Sequence, residues 1–232
     1  LEALGYIALE NRPVLRCRQI VPAKLDGPLV LNDEQSAAYE GLLGQMAGEK
    51  PGVALLYGVT GSGKTSVYLK LIENCLQSGK SAMLLVPEIA LTPQLLSLLA
   101  AHFGEQVALL HSSLADGERA DQWKRLKNGQ ARVAVGTRSA VFAPCKDLGL
   151  IILDEEQENS YQSENPPRYH TRDIAKYLCA RSKATLVLGS ATPAVETAWA
   201  AEQGIYHKAL LRKRYNDHAL PEVLISDLRQ EI

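Results

Sequence analysis

The sequence predicts an α/β domain in which a mostly parallel β-sheet carries helices on both faces. Short apolar segments alternate along the chain with amphipathic segments of helical length, which is the pattern of a parallel sheet. The apolar segments lack the alternation of apolar and polar residues, as expected for strands buried on both faces. Hydrophobic residues make up 46% of the 232 residues, enough for a core that covers such a sheet.

The predicted elements follow one another from residue 32 onwards. A helix begins at Asn32 or Asp33, because either side chain can cap it and acidic and amide residues occupy its first turn. Strands are predicted at residues 53–58, 81–87, 107–112, 131–137, 148–156 and 184–190. Further helices are predicted at residues 64–79, 92–104, 115–130, 170–183 and 193–204, with Pro93 in the first turn of the second of these.

Composition and charge exclude several classes of protein. The formal net charge is −1, so the chain is no polycation, and any nucleic-acid surface must be a local patch. No apolar run reaches the roughly 20 residues that span a bilayer, so no membrane segment is expected. The four cysteines form no CxxC pair, which predicts neither a zinc site nor a disulfide framework and fits the cytoplasm.

One loop is typical of nucleotide-binding proteins. The segment GVTGSGKT fits the phosphate-loop pattern in full, after a predicted strand and before a predicted helix. Its backbone N–H groups and the helix N-terminus favour bound phosphates. Lys64 is predicted to reach the β- and γ-phosphates, and Thr65 to hold Mg²⁺. The predicted ATP-binding residues of the loop are Gly58, Val59, Thr60, Gly61, Ser62, Gly63, Lys64 and Thr65.

Two acids end another apolar strand. Asp154 is predicted to complete the Mg²⁺ coordination, and Glu155 to orient and deprotonate the attacking water. The alternative is a solvated acidic turn, because DEEQEN is a run of charges. On its own strand downstream of a phosphate loop, the catalytic interpretation is favoured.

Hydroxyl and cationic side chains follow other strand ends. For Ser190 and Thr192, spacing alone favours an ordinary turn that caps the next helix. For Thr92, Thr137 and Arg138, chemistry alone supports helix-capping loops and contacts to nucleic-acid phosphates equally.

The order of these motifs identifies a family. The phosphate loop, PEIALTPQ, HSSL, VGTRSAVFAP, LDEEQ and GSATP resemble motifs I, Ia, Ib, II and III of superfamily 2 helicases. The segments LVPEIALTPQ, HSSLADGER and SYQSENPPRYHTRD resemble, more narrowly, the PriA family of primosomal replication-restart DNA helicases. The resemblance covers roughly residues 30–230 and implies a RecA-like P-loop NTPase domain that uses ATP and Mg²⁺.

The resemblance implies further roles by position. Gln35 is similar to the helicase glutamine that reads the adenine edge, which an amide can do, although a polar first-turn helix residue is the alternative. Ser190 and Thr192 would couple the nucleotide state to the grip on DNA. The residues implied to contact the backbone of single-stranded DNA are Thr92, Thr137 and Arg138.

Residues 158–173 resemble the aromatic-rich loop that the family carries between motifs II and III. The side chains that could stack on bases or sense DNA are Tyr161, Arg168, Tyr169 and His170, and the alternative is an exposed loop with tyrosines folded onto the surface. Gln157 stands where the family usually has histidine, and Gln162 where lysine is frequent. Gln157 still donates and accepts hydrogen bonds but cannot titrate, so ATP hydrolysis should survive while coupling to DNA stays open.

Three parts are predicted along the chain. Residues 1–25 are assigned to the tail of a preceding winged-helix-type module and a linker, 26–205 to the first RecA-like lobe, and 206–232 to a connector toward a second lobe. The chain starts in mid-pattern without Met, so we expect a piece of a larger protein. Because this class hydrolyses ATP between two lobes, weak nucleotide binding and poor hydrolysis are expected. Zinc is expected only in the remainder of the parent protein.

The implied function is that of an ATP-dependent 3′–5′ DNA helicase in replication restart at stalled forks. Implied partners are single-stranded and forked DNA, primosome proteins and single-strand-binding proteins, in the bacterial cytoplasm at the nucleoid. Two alternatives stay open: an ATP-binding fork-recognition scaffold with little unwinding, which Gln157 keeps possible, and another superfamily 2 DNA translocase. A kinase or GTPase switch is disfavoured, because the sequence offers no base-specificity motif or lid segment.

Overall fold

The computed structural model describes residues 20–25, 27–48 and 52–214, and a seven-stranded β-sheet forms its centre. The strands are β1 (Val53–Gly58), β2 (Ser81–Leu85), β3 (Val107–Leu110), β4 (Val133–Gly136), β5 (Leu148–Asp154), β6 (Thr185–Ser190) and β7 (His207–Leu211). They lie in the order β3-β4-β2-β5-β6-β1-β7, and every neighbouring pair is parallel. The predicted parallel α/β fold is confirmed.

Six α-helices accompany the sheet in this part of the chain. They are α1 (Asp33–Met46), α2 (Lys64–Gln77), α3 (Pro93–Phe103), α4 (Asp116–Asn128), α5 (Thr171–Ser182) and α6 (Val195–Glu202). Asn32 caps α1 in a reciprocal box, in which its side chain accepts from the Gln35 N–H and the Gln35 side chain accepts from the Asn32 N–H. Of the two predicted caps, Asn32 is the one used. No helix within the described ranges is long and apolar enough to cross a membrane.

The helices cover the two faces of the sheet with separate apolar clusters. The first three helices pack on one face, where the core includes Leu42 and Leu99. The last three pack on the other face, where it includes Leu126, Cys179 and Ala201. Alternate residues of the six strands from β1 to β6 enter the two clusters, which explains why these strands are mostly apolar on both faces.

The sheet contains one strand more than was assigned to the lobe. Residues His207–Leu211 form β7 beside β1, although the connector was predicted to begin at residue 206. The prediction was wrong here because an edge strand is only partly covered, and this one carries His207 and Lys208 beside three apolar residues. Residues 1–19 and 215–232, which include most of the predicted module tail and connector, lie outside the described residues.

The chain leaves β7 directly beside the phosphate loop. The Val59 N–H donates to the Leu211 carbonyl at 3.3 Å. The two oxygens of the Glu34 carboxylate, in the first turn of α1, accept hydrogen bonds from the backbone N–H groups of Arg212 and Lys213 at 2.8 and 3.0 Å. Helix α1, β7 and the phosphate loop therefore meet at one corner of the sheet.

Candidate functional site

The phosphate loop lies at the carboxyl end of β1, where a parallel sheet offers a crevice for ligands. Gly61 and Gly63 adopt φ values of +80° and +81°, a region that glycine enters without steric cost. Lys64, only 9% exposed, donates to the Gly58 carbonyl at 3.1 Å. Its ammonium group is therefore held inside the turn of the loop, as the predicted phosphate-binding role requires.

Helix α2 begins at the loop and leaves its first N–H groups to a ligand. The residue that precedes the helix at the cap position, Gly63, has no side chain, and no side-chain hydrogen bond caps this end among the described residues. By contrast, α3 is capped by the Thr92 hydroxyl, which accepts from the Leu95 N–H at 3.3 Å. Uncapped N–H groups and the positive end of the helix dipole together favour phosphate.

Glu155 faces Lys64 across the loop. One of its carboxylate oxygens lies 3.3 Å from Lys64 Nζ, and its backbone takes a φ of +46°. A non-glycine residue in this left-handed region carries backbone strain, which is concentrated in proteins at functional sites. The ion pair brings the carboxylate of the predicted general base and the predicted phosphate-binding cation together.

Asp154 lies at the tip of β5 and accepts a 2.7 Å hydrogen bond from the Tyr68 hydroxyl. Burial raises the pKa of this carboxyl, while the Tyr68 hydrogen bond opposes that shift. Asp154, Thr65 and Tyr68 line one cavity of about 250 Å³. Because Mg²⁺ takes one or two carboxylates together with substrate phosphates and water, one carboxylate and one hydroxyl at a shared cavity fit this ion.

Gln157 connects Glu155 to the loop that follows β6. Its amide N–H donates to a Glu155 carboxylate oxygen at 3.0 Å, and its amide oxygen accepts from the Ser190 hydroxyl at 2.6 Å. Ser190 Oγ in turn accepts from the Thr192 N–H at 2.9 Å. Gln157 and Ser190 thus touch, as their predicted coupling role requires, whereas the exposed Thr192 joins this network through its backbone.

Glu156 is a site residue that the sequence analysis did not single out. Its buried carboxylate accepts from Arg172 Nη1 at 2.9 Å, from the Thr197 hydroxyl at 3.2 Å and from the Ala194 N–H at 2.7 Å. It ties the acidic motif to the starts of α5 and α6. The sequence carries no signal for it, because Arg172 lies 16 residues away beyond a loop.

Gln35 does not face an open nucleotide surface in this structure. Its side chain is fully buried, and its amide N–H group donates to the Ser62 carbonyl at 3.1 Å. Its amide oxygen accepts from the Asn32 N–H. Reading adenine would require these bonds to open, so the geometry favours the alternative, in which a first-turn glutamine fixes α1 to the phosphate loop.

Of the three residues predicted to contact phosphates, two make hydrogen bonds within the chain and the third is buried. Thr92 caps α3, and Thr137 is 4% exposed. The Arg138 guanidinium donates to the carbonyls of Ser160 and Gln162, at 3.3 and 2.5 Å. The hydrogen bonds of Thr92 and Arg138 favour a helix cap and an anchor of the aromatic loop, respectively, whereas Thr137 is buried and makes no side-chain cap hydrogen bond.

The prediction that Tyr161 stacks on bases is wrong for this structure. Its side chain has no exposed surface, and its hydroxyl lies 3.0 Å from the Leu85 carbonyl and 2.7 Å from the Asp154 carbonyl. A ring enclosed in the core cannot reach a base. Tyr161 instead fixes the start of the loop against the tips of β2 and β5.

The remaining residues of the loop are more open. Arg168 is exposed, with its Nε donating to the Glu164 carbonyl at 3.2 Å. Tyr169 is half-buried against Phe142, edge to face with ring centroids 5.0 Å apart. His170 Nδ1 accepts from the Arg172 N–H and caps α5, and burial lowers the pKa of its imidazole. Of the four residues that the resemblance implies for this loop, Arg168 is thus exposed, Tyr169 and His170 are partly exposed and Tyr161 is buried.

Sequence comparison adds independent findings. A family model described as DEAD/DEAH box helicase matches residues 32–199. The replication restart protein PriA of Bacillus subtilis (strain 168) is 46% identical over 205 residues, 88% of this chain and 26% of that protein. The protein of the same name from Haemophilus influenzae is 40% identical over 223 residues, 96% of this chain and 29% of that protein. The chain spans under a third of the length of these relatives.

Solved structures show the same fold. RecG bound to a three-way DNA junction matches with a TM-score of 0.59 and 24% identity, over 84% of this chain and 26% of that one. The helicase domain of Pyrococcus furiosus Hef matches with a TM-score of 0.54 and 22% identity, over 79% of this chain and 38% of that one. Together with the family model, these matches confirm the predicted helicase-type RecA-like fold.

Proposed function

Because this chain belongs to the DEAD/DEAH box helicase family, we propose that it is the ATP-binding motor lobe of a bacterial replication-restart DNA helicase. We propose 3′–5′ movement on single-stranded DNA, action at stalled forks, and contacts with primosome and single-strand-binding proteins. These finer statements rest on the motif resemblance and on the likeness to the PriA proteins. The cytoplasm, at the nucleoid, is the proposed location.

One observation carries the motor proposal: a continuous set of contacts runs from Lys64 through Glu155 and Gln157 to Ser190. Lys64 belongs to the loop that would hold phosphates, and Ser190 belongs to the loop that follows β6. A change at either end must alter the hydrogen bonds of Glu155, the proposed general base. Such a linkage is what a motor needs to tie ATP hydrolysis to its grip on DNA.

The chain's own residues have distinct tasks in hydrolysis. Lys64 must exchange its contact with Glu155 for the phosphates when nucleotide enters, because one ammonium group cannot serve both fully. Glu155 is then free to orient and deprotonate water, while Gln157 holds its second oxygen. Thr65 and Asp154 would hold Mg²⁺, which neutralises charge on the phosphates when it is bound.

On the nucleic-acid side we propose that the segment 158–170 senses the strand through Arg168 and Tyr169. Arg138 holds the start of this segment by donating to the Gln162 carbonyl, and Tyr161 anchors it to the tip of β5 by donating to the Asp154 carbonyl. A base can stack on the open side of the Tyr169 ring, an interaction worth about 1–3 kcal/mol whatever the sequence. The proposed zinc sites lie outside this chain.

The test is ATP hydrolysis by the longer protein that we propose contains this chain, without DNA, with single-stranded DNA and with forked DNA. A Gln157→His variant is measured beside it. Strong stimulation of the natural protein by DNA supports a coupled motor with Gln157 as a working substitute. Flat turnover that responds to DNA only in the histidine variant would favour the fork-recognition scaffold instead.

A further inference from the structure

The hydrogen bond between Tyr68 and Asp154 involves a tyrosine that has no part in the mechanism above. The Tyr68 side chain is 2% exposed, yet its hydroxyl reaches the Asp154 carboxylate oxygen at 2.7 Å. A buried hydroxyl loses its contact with water, so a phenylalanine would fill the same space without that cost. Packing alone therefore does not account for the hydroxyl at this position.

The position of Tyr68 on α2 links this hydroxyl to the phosphate loop. Tyr68 follows Lys64 by four residues and Thr65 by three, and residues at these spacings share one face of a helix. The helix that presents the phosphate-binding cation thus also presents the group that holds Asp154. A shift of α2 moves all three side chains together.

Strand β6 is shaped to admit the hydroxyl. Gly189 pairs in register with Asp154, and a Cβ atom at Gly189 would lie 1.7 Å from the Tyr68 hydroxyl oxygen and 3.2 Å from the Asp154 carboxylate. Any side chain at this position would push the hydroxyl away. The absence of a side chain at Gly189 is therefore matched to the presence of the hydroxyl on Tyr68.

Tyr68 also lines the cavity of the proposed metal site. Tyr68, Thr65 and Asp154 line the same cavity of about 250 Å³, together with Leu84 and Thr92. By fixing one oxygen of Asp154, the hydroxyl sets the rotation of the carboxylate plane that faces this space. Removing a group that orients a metal ligand in this way typically lowers the affinity for the metal about 10–100-fold.

We propose that Tyr68 is a positioning residue that holds the Asp154 carboxylate in the orientation that binds Mg²⁺-nucleotide, with Gly189 making room for it. This inference rests on the proposed ATP and Mg²⁺ function. It does not require Tyr68 to touch the nucleotide. Loss of the Tyr68 hydroxyl should reduce the gain in nucleotide affinity that Mg²⁺ provides, and it should leave the affinity for nucleotide without Mg²⁺ unchanged.

The experiment is a titration of this chain with a fluorescent ADP analogue, in excess Mg²⁺ and in EDTA. In EDTA, Tyr68→Phe should bind the analogue within about twofold of the unmodified chain. With Mg²⁺, the gain in affinity should fall about tenfold, and the Mg²⁺ concentration at half-saturation should rise by a similar factor. Tyr177→Phe, at a tyrosine that is 63% exposed on α5, is the matched control and should behave as the unmodified chain.

A second variant tests the same contact from the other side. Gly189→Ala should reproduce the Mg²⁺ defect, because its Cβ would lie 1.7 Å from the hydroxyl oxygen of Tyr68 and 2.9 Å from the ring carbon that carries it, so the hydroxyl must move. Thermal unfolding of each variant is recorded beside the titration. A variant that melts earlier but keeps the full Mg²⁺ gain assigns Tyr68 a structural role only and overturns the inference. An unmodified chain that gains nothing from Mg²⁺ contradicts the proposed function itself.

Discussion

The Ser190 hydroxyl donates a 2.6 Å hydrogen bond to the Gln157 amide, whose own N–H group donates to Glu155. Removing the amide separates the proposed general base from the loop after β6 while leaving the phosphate loop untouched. Gln157→Ala should therefore bind nucleotide within about twofold of the unmodified protein and lose about tenfold in DNA-stimulated ATP hydrolysis, the loss of about one charge-assisted hydrogen bond. Steady-state ATPase assays with and without single-stranded DNA measure this.

Gln77→Ala is the control for that prediction, because Gln77 is exposed at the far end of α2. It should leave both quantities unchanged. If Gln157→Ala kept full stimulation by DNA, the contacts through Gln157 would have no coupling role.

The phosphate-loop lysine can be tested against a second lysine on the same helix. Lys64→Ala removes the buried cation and should weaken nucleotide binding about 10–100-fold, the range for a lost charge-assisted hydrogen bond of about 1.5–3 kcal/mol. Lys70→Ala removes a cation paired with Glu73 on the surface of α2 and should leave the affinity within about twofold. Calorimetric titration with ADP and Mg²⁺ distinguishes the two, and equal affinities would contradict the site.

Tyr161 should contribute to stability and not to the grip on DNA. Tyr161→Leu removes a fully buried ring and its hydroxyl, so the free energy of unfolding should fall by about 3 kcal/mol. Affinity for single-stranded DNA, measured by fluorescence anisotropy well below the melting temperature, should stay within about twofold. A large loss of DNA affinity in a folded variant would restore the stacking role that the sequence indicated.

Stability should fall on the acid side of neutrality through His170. Its Nδ1 must be unprotonated to accept from the Arg172 N–H, and burial lowers the pKa of its imidazole from 6.5. The folded state thus binds the proton less readily than the unfolded chain. The stability that the neutral His170 cap contributes is therefore complete above pH 6.5 and is lost as the pH falls through the lowered pKa. Urea unfolding from pH 8 to pH 5 should show the decline.

His170→Asn separates the cap from the titration. Asparagine is a good helix cap without a titrating group. This variant should therefore stay stable at neutral pH, and its free energy of unfolding should fall less steeply as the pH is lowered. His170→Ala should lose about 1 kcal/mol at neutral pH, because it removes the cap as well. An unaltered decline in both variants would assign the pH dependence to other groups.

The sequence was most informative where a pattern is local. The strands, the helices and the phosphate loop follow from apolar periodicity, capping residues and glycine spacing, and Asn32, Lys64 and Glu155 lie as these patterns predict. Local patterns cannot show which distant carbonyl or carboxylate a side chain meets. The family resemblance implied ligand contacts for Gln35 and Tyr161, whereas each side chain satisfies backbone groups of the chain itself.

The missed residues illustrate the same limit. Glu156 looked like one member of a run of acids, whereas it is a buried ion-pair partner of Arg172. Tyr68 could have been found, because its spacing from Lys64 and Thr65 places it on the same face of α2. Its partner at the tip of β5 could not, since only the strand order brings Asp154 beside that helix.

The corner where α1, β7 and the phosphate loop meet has a mechanical consequence. Tension applied to the chain beyond Lys213 acts along β7, which is parallel to β1 and ends at the same level. A pull in this direction loads the hydrogen bonds between the two strands in shear. All of these hydrogen bonds then resist it together, since they are not broken one after another. The pull also reaches Val59 and Glu34 directly. We expect a displacement along the direction of β7 to load the nucleotide loop through these contacts.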